Sequence, residues 1–200
     1  MGWMLTRFQL VTKSMGSKAI LFLSESVRSF VGRAVFVVLS ILFIGSSSLL
    51  AAEKIYEKPT EFLKRNFGGI PKTQAITLDE QQFKELKKIL GSRETPKKIR
   101  YWKSENKIAW VLNKKGKSEP ITTGFIVREG QISELKVLIY RESHGWEVSR
   151  PFFTKQFTGA SLDGKKLSTK VDGVVGATLS VNALKKLAAA ALYLSQQVEK

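Results

Sequence analysis

The sequence predicts an α+β fold: an antiparallel β-sheet packed with helices, closed by a C-terminal amphipathic helix and preceded by a small helical segment. Three observations carry this reading. Between 96 and 141 apolar residues recur at period two and are broken by Asn- and Gly-bearing turns, which is the pattern of antiparallel hairpins. Between 178 and 198 the residues Leu184, Leu187, Ala188, Ala191, Leu194 and Val198 recur at spacings of three and four, which places them on one helical face. Between 53 and 92 the spacing is again helical, with stops at Gly68-Gly69 and Gly91.

Taken in order, residues 1–33 are basic, with Arg7, Lys13, Lys18, Arg28 and Arg33 against the single acid Glu25. An uncharged apolar run from Ala34 to Gly45 follows, then Ser46 to Ala52, and charged sequence resumes at Glu53. A basic start, a short apolar stretch and small residues before a charged segment are the layout of a secretory signal peptide. Cleavage then falls near Ala52. An uncleaved anchor over 34–52 stays open, since a membrane span needs roughly 20 residues. On either reading the remainder of the chain is sent to the periplasmic or extracytoplasmic side. The expected organisation is a signal peptide or anchor over 1–52, a helical lead-in over 53–95 and a main domain over 96–200.

In the lead-in, Pro59 opens a helical stretch through Thr60 to Lys64. Asp79 stands where a helix cap belongs, with Gln82 three residues on as in a capping box. Phe83, Leu86, Ile89 and Leu90 then share a face. In the main domain, strands are expected around Ile99 to Trp102, Ile108 to Leu112, Ile121 to Val127 and Ile132 to Tyr140. The turns fall at Ser104-Glu105-Asn106, Asn113 to Gly116 and Arg128-Glu129-Gly130. Trp102 and Trp110 read as core aromatics, with stacking on a planar ligand as the sharper alternative. The last strand runs into a polar loop, Arg141 to Val148, that holds the only His of the chain.

Composition narrows the function. There is no Cys in the 200 residues, so disulfides, thiolate metal sites and Cys-ligated clusters are excluded. Lys and Arg number 33 against 17 Asp and Glu, a net charge of +16. Such a balance points to an anionic partner or to a solvated basic surface. An exported chain meets no nucleic acid. Beside the solvated surface, the anionic partners that remain are a membrane face and an acidic protein.

The stretch with most chemical content is Asp172-Gly173-Val174-Val175-Gly176-Ala177-Thr178, which runs directly into the C-terminal helix. A Thr at a helix start after a Gly-bearing turn is, on one reading, a capped helix. On the other it sets a hydroxyl among free backbone N–H groups at the positive helix end, where a phosphate is held. The string resembles the flavinylation motif of FMN-binding domains: Asp, Gly, any residue, Ser or Thr, Gly, Ala, Thr. The flavin subunits of sodium-pumping quinone reductase and of Rnf-type electron-transfer complexes carry that motif. Asp172, Gly173, Gly176, Ala177 and Thr178 match it, and Val175 stands where the family usually has Ser or Thr. The stretch Gln156-Phe157-Thr158-Gly159 is similar to one that these domains place before the motif, so the resemblance spans roughly 96–198.

The resemblance implies FMN joined covalently to Thr178 by a phosphoester bond, with FAD as donor and a FAD:protein FMN transferase as the modifying partner. Asp172 is implied in that modification, while Gly176 and Ala177 keep the approach open. The loop after the last strand lies near the flavin in this family, which makes Glu142, His144 and Gly145 further candidates. The function implied is extracytoplasmic electron transfer between membrane or cytochrome partners, such as a membrane quinone reductase, and another acceptor. Two other readings stay open: a flavin subunit of a small-substrate reductase, and a cofactor-free basic envelope protein that binds anionic lipid or polymer.

Overall fold

The computed structural model describes residues 53–92 and 95–199. The expected signal peptide or anchor lies outside the described residues. Among the described residues, no helix is long and apolar enough to cross a membrane.

The architecture is a six-stranded, wholly antiparallel sheet flanked by helices. In chain order the sheet strands are β1 (Lys54–Ile55), β2 (Thr73–Thr77), β3 (Lys98–Ser104), β4 (Lys107–Lys115), β5 (Pro120–Arg128) and β6 (Gln131–Tyr140). They lie side by side in the order β1-β6-β5-β4-β3-β2. A small separate hairpin pairs β7 (Leu162–Asp163) with β8 (Lys166–Leu167). The helices are α1 (Pro59–Phe67), α2 (Glu80–Leu90), the single turn α3 (Pro151–Thr154) and α4 (Thr178–Glu199).

The α+β expectation therefore stands. The lead-in is less uniformly helical than its spacing predicts, because β1 and β2 fall within it and both join the main sheet. Thr73-Gln74-Ala75-Ile76-Thr77 carries only one half-buried apolar side chain. Pairing with β3, from Thr73 opposite Trp102 to Thr77 opposite Lys98, makes it a strand.

Local chemistry accounts for the other boundaries. Asp79 caps α2: its carboxylate accepts the Gln82 N–H at 2.8 Å, and the Gln82 side chain accepts the Asp79 N–H at 3.0 Å. Asp79→Ala is expected to cost about 1 kcal/mol, measurable as a lower urea midpoint at unchanged m-value. At the other end, the Gly91 N–H donates to the Lys87 carbonyl at 2.8 Å. The two-residue turn Glu129-Gly130 has positive φ at both positions, 50° and 71°, as a right-twisted hairpin demands.

Strand alternation, shifted in β6 by a bulge at Leu138 between the Thr122–Ile139 and Thr123–Val137 pairs, sorts the core onto two faces. Ile108, Trp110, Phe125, Val137 and Tyr140 face α4 and α2, while Ala109, Ile126 and Leu138 face α1 through Phe62 and Leu63. A Cβ on Gly124 would stand 2.8 Å from the Phe62 ring, so glycine is what allows α1 to lie this close to the sheet. Helix α4 is buried over more than a narrow stripe. Every residue from Leu187 to Leu192 is buried, because the sheet covers one side and α2 another. The alanines of that run leave little side chain between backbones.

Candidate functional site

The site forms where β6 ends. Tyr140 is fully buried, and its hydroxyl donates to the His144 carbonyl at 2.6 Å. A hydroxyl has one hydrogen, so the second contact, 3.1 Å to Ser180 Oγ, is donated by Ser180. This chain of two bonds ties the loop after β6 to the first turn of α4. Burial pushes the Tyr140 phenol above its ordinary value of 10.0; the Ser180 bond opposes the shift, and the Glu142 and Glu147 charges reinforce it. The linked stability is fully present below pH 10 and is lost as pH rises through the raised value. Tyr140→Phe leaves the His144 carbonyl without its donor and is expected to cost about 1–2 kcal/mol. It also removes this part of the alkaline loss, which thermal melts across the alkaline range would show.

Gly145 makes the closest approach. Its φ is 80°, and an added Cβ would lie 2.8 Å from Ala177 Cβ and 3.1 Å from the Tyr140 hydroxyl. The structure thus brings together two stretches that the sequence singled out separately, the loop 142–145 and the motif 172–178. Glu142 sits beside the helix start: the Cβ position of Gly116 lies 2.7 Å from its Oε1 and 3.3 Å from Ser180 Oγ. Its carboxylate accepts the backbone N–H groups of Lys117, of Ser118 at 2.9 Å and of Glu119 at 3.1 Å, closing the β4–β5 turn. Glu142→Ala is expected to cost about 1 kcal/mol and to speed amide exchange at 117–119, since water then replaces the carboxylate. The exposed His144 ring meets Ser143 Oγ at 2.8 Å through Nδ1.

At the helix start, the Ala177 N–H closes a turn onto the Val174 carbonyl at 3.0 Å, and the Ala177 carbonyl accepts the first helical bond, from Val181, at 2.9 Å. Thr178 is therefore the first helical residue rather than the cap. The amides of Thr178, Leu179 and Ser180 find no acceptor among the described residues, as the open end of a helix dictates. Asp172, Gly173, Gly176 and Thr178 are exposed, whereas Ala177 is buried against Gly145. Nothing lies within 4 Å of a Cβ placed on Gly173 or Gly176, so the face before Thr178 is open. Asp172 is held through its backbone, whose N–H donates to Gln156 Oε1 at 2.8 Å.

Neither core tryptophan reaches this face. Trp110 is fully buried, with its indole N–H on Ser195 Oγ at 2.8 Å, and Trp102 bonds Thr73 Oγ1 at 3.1 Å. The aromatic beside the site is Trp146, next to Gly145. Its ring lies 5.3 Å from the Lys54 ammonium and 5.1 Å from the Arg150 guanidinium. Sequence reasoning passed over Trp146, Tyr140, Ser180 and the turn at 116–119. Of these, only Ser180 carried a local signal, as a hydroxyl one turn into an otherwise apolar helix face.

The fold and this face define the class of the domain: an antiparallel α+β module whose C-terminal helix starts at an open polar surface, braced by the loop after the last sheet strand. A family likeness comes from comparison with known proteins. Residues 116–193 match the family model of the FMN-binding domain. Over those residues the chain is similar to FMN-binding domains, and FMN is the cofactor that this match supports. No curated protein and no solved structure matches the chain.

Proposed function

We propose that this chain is an extracytoplasmic flavoprotein that carries FMN covalently on Thr178 through a phosphoester bond. In this reading it transfers electrons between membrane or cytochrome partners and another acceptor. The observation that carries the proposal is the placement of Thr178. Within the residues matched to the FMN-binding domain, it is an exposed hydroxyl on the first residue of a long helix, with free amides behind it and open space before it.

The residues present fit the group by the chemistry of their donors. A phosphate on Thr178 Oγ lies at the positive helix end, where the amides of Leu179 and Ser180 are available and the dipole favours negative charge. Ala177, Gly145, Tyr140 and Ser180 fix that helix end against the sheet, so the tethered group is oriented by rigid elements rather than by a loose loop. Exposed Val175 and Leu179 flank Thr178 along the chain and offer apolar cover to a ring system. When bound, FMN supplies one- and two-electron redox chemistry. The chain's own part is to hold the phosphate, orient the ring and control access. A covalent tether also suits an exported domain, which cannot draw on a cytoplasmic flavin pool.

The test is the intact mass of mature protein from its own envelope, with peptide mapping across 171–185. The expected result is an excess equal to FMN less one water, on Thr178. An unmodified Thr178 from a host that flavinylates its other targets would sink the covalent reading. It would leave non-covalent FMN binding, or the basic surface, as the lead.

A further inference from the structure

The sheet is forked, and the fork holds a cleft remote in role from the flavin face. Strand β3 pairs with β4 only from Tyr101 opposite Trp110 to Ser104 opposite Lys107. Beyond that point β3 stays with β2, with Arg100, Ile99 and Lys98 opposite Ala75, Ile76 and Thr77. Strand β4 stays with β5, out to Lys115 opposite Pro120. The two middle strands therefore diverge, and the inner edges of 98–100 and 111–115 have no ladder partner in a sheet that continues on both sides. A cleft of about 1150 Å³ fills the gap, lined by Lys98 to Arg100 on one bank and Val111 to Lys115 on the other. Its floor, on the α2 and α4 side of the sheet, is apolar, with Leu86, Leu90, Leu187 and Leu194, while Leu63 of α1 lines it from the other side.

We propose that this fork is a binding site for an acidic extended polypeptide segment, which enters between β3 and β4 as an additional strand, parallel to one bank and antiparallel to the other. Three features of the site specify that occupant. Unpaired strand edges carry backbone donors and acceptors in register, and only another extended backbone answers them on both banks. The apolar floor takes alternate side chains of such a strand. The banks carry Lys98, Arg100, Lys114 and Lys115, none of which makes an ion pair among the described residues. Among the described residues the acid at the rim is Glu119 alone. Lys114 is held below its ordinary value by burial and by the charge of Lys186, and an incoming carboxylate would offset that charge. These cations also repel basic strands. With a net charge of +16, a second copy of the chain is a poor occupant and an acidic partner a good one. The inference does not rest on the flavin reading.

The test uses full-length protein and a decapeptide of alternating Glu and Val, beside the same peptide with alternate amides N-methylated. Strand addition predicts that the plain peptide binds and slows hydrogen exchange at 98–100 and 111–115. It predicts that N-methylation abolishes binding, because charge is kept while backbone donors are lost. The exposed pair Lys98→Glu with Arg100→Glu is expected to weaken binding at least about tenfold. Equal binding of both peptides would overturn the proposal in favour of a plain charge effect. Absence of binding at about 1 mM peptide, the weak end of specific association, would overturn it too. Palmitate bound in the cleft without peptide binding would reassign it to an anionic amphiphile.

Discussion

Thr178→Ala protein, made in a host with the transferase, will be colourless and will have the mass of the polypeptide alone. The wild-type chain from the same cells will be yellow and heavier by FMN less one water. On the proposed reading the contrast is all-or-none, because the ester oxygen would be Thr178 Oγ and the alanine variant has no hydroxyl there. The variant should fold normally. Thr178 is exposed at the first position of α4, where a change to Ala falls within about 0.5 kcal/mol, so loss of flavin will not be a by-product of unfolding. Thr178→Ser restores the hydroxyl and should restore the label, which separates a chemical requirement from a steric one. Flavin retained covalently by the Ala variant would move the attachment point elsewhere. Flavin retained but released on denaturation would show a domain that binds FMN without the bond.

The sequence made much of this fold legible because its elements are locally determined. Glu129-Gly130 specifies a tight hairpin by its φ requirement, Asp79 and Gln82 specify a helix start by mutual capping, and the leucine spacing in α4 specifies a buried face. The parts it hid are those set by distant partners. Strand β2 has an exposed, weakly apolar pattern and exists because β3 offers an edge. Residues Ala189 and Ala190 look like helix surface until α2 is packed on that side. Trp102 and Trp110 lie on neighbouring strands yet face opposite sides, a consequence of strand parity, and it is burial against Ser195, far along α4 from Thr178, that keeps Trp110 from the open face. The forked cleft has no local signature at all, since it depends on where a register ends.

The candidate site shows the same division. The motif at 172–178 was legible as seven residues in a row, and it says nothing of what braces it. That brace is Gly145, and Gly145→Val is expected to damage both the fold and the site. Its φ of 80° costs a residue with a Cβ about 1–2 kcal/mol. The valine Cβ would also start 2.8 Å from Ala177 Cβ, and forcing extra methyls into a packed contact costs about 1–3 kcal/mol. A combined loss of about 3 kcal/mol should appear in chemical denaturation, a large share of a typical domain's stability. Flavin loading should fall with it, because the helix start would be pushed from the loop that holds it. The control is Gly159→Ala. Gly159 has nearly the same φ, 78°, but nothing lies within 4 Å of its Cβ position, so it bears the conformational cost alone, about 1 kcal/mol. Equal losses at the two positions would mean that backbone strain is the whole effect and that the Gly145–Ala177 contact does not brace the site. A clear excess at Gly145, with loading reduced and loading at Gly159→Ala unchanged, ties the geometry of that contact to the function of Thr178.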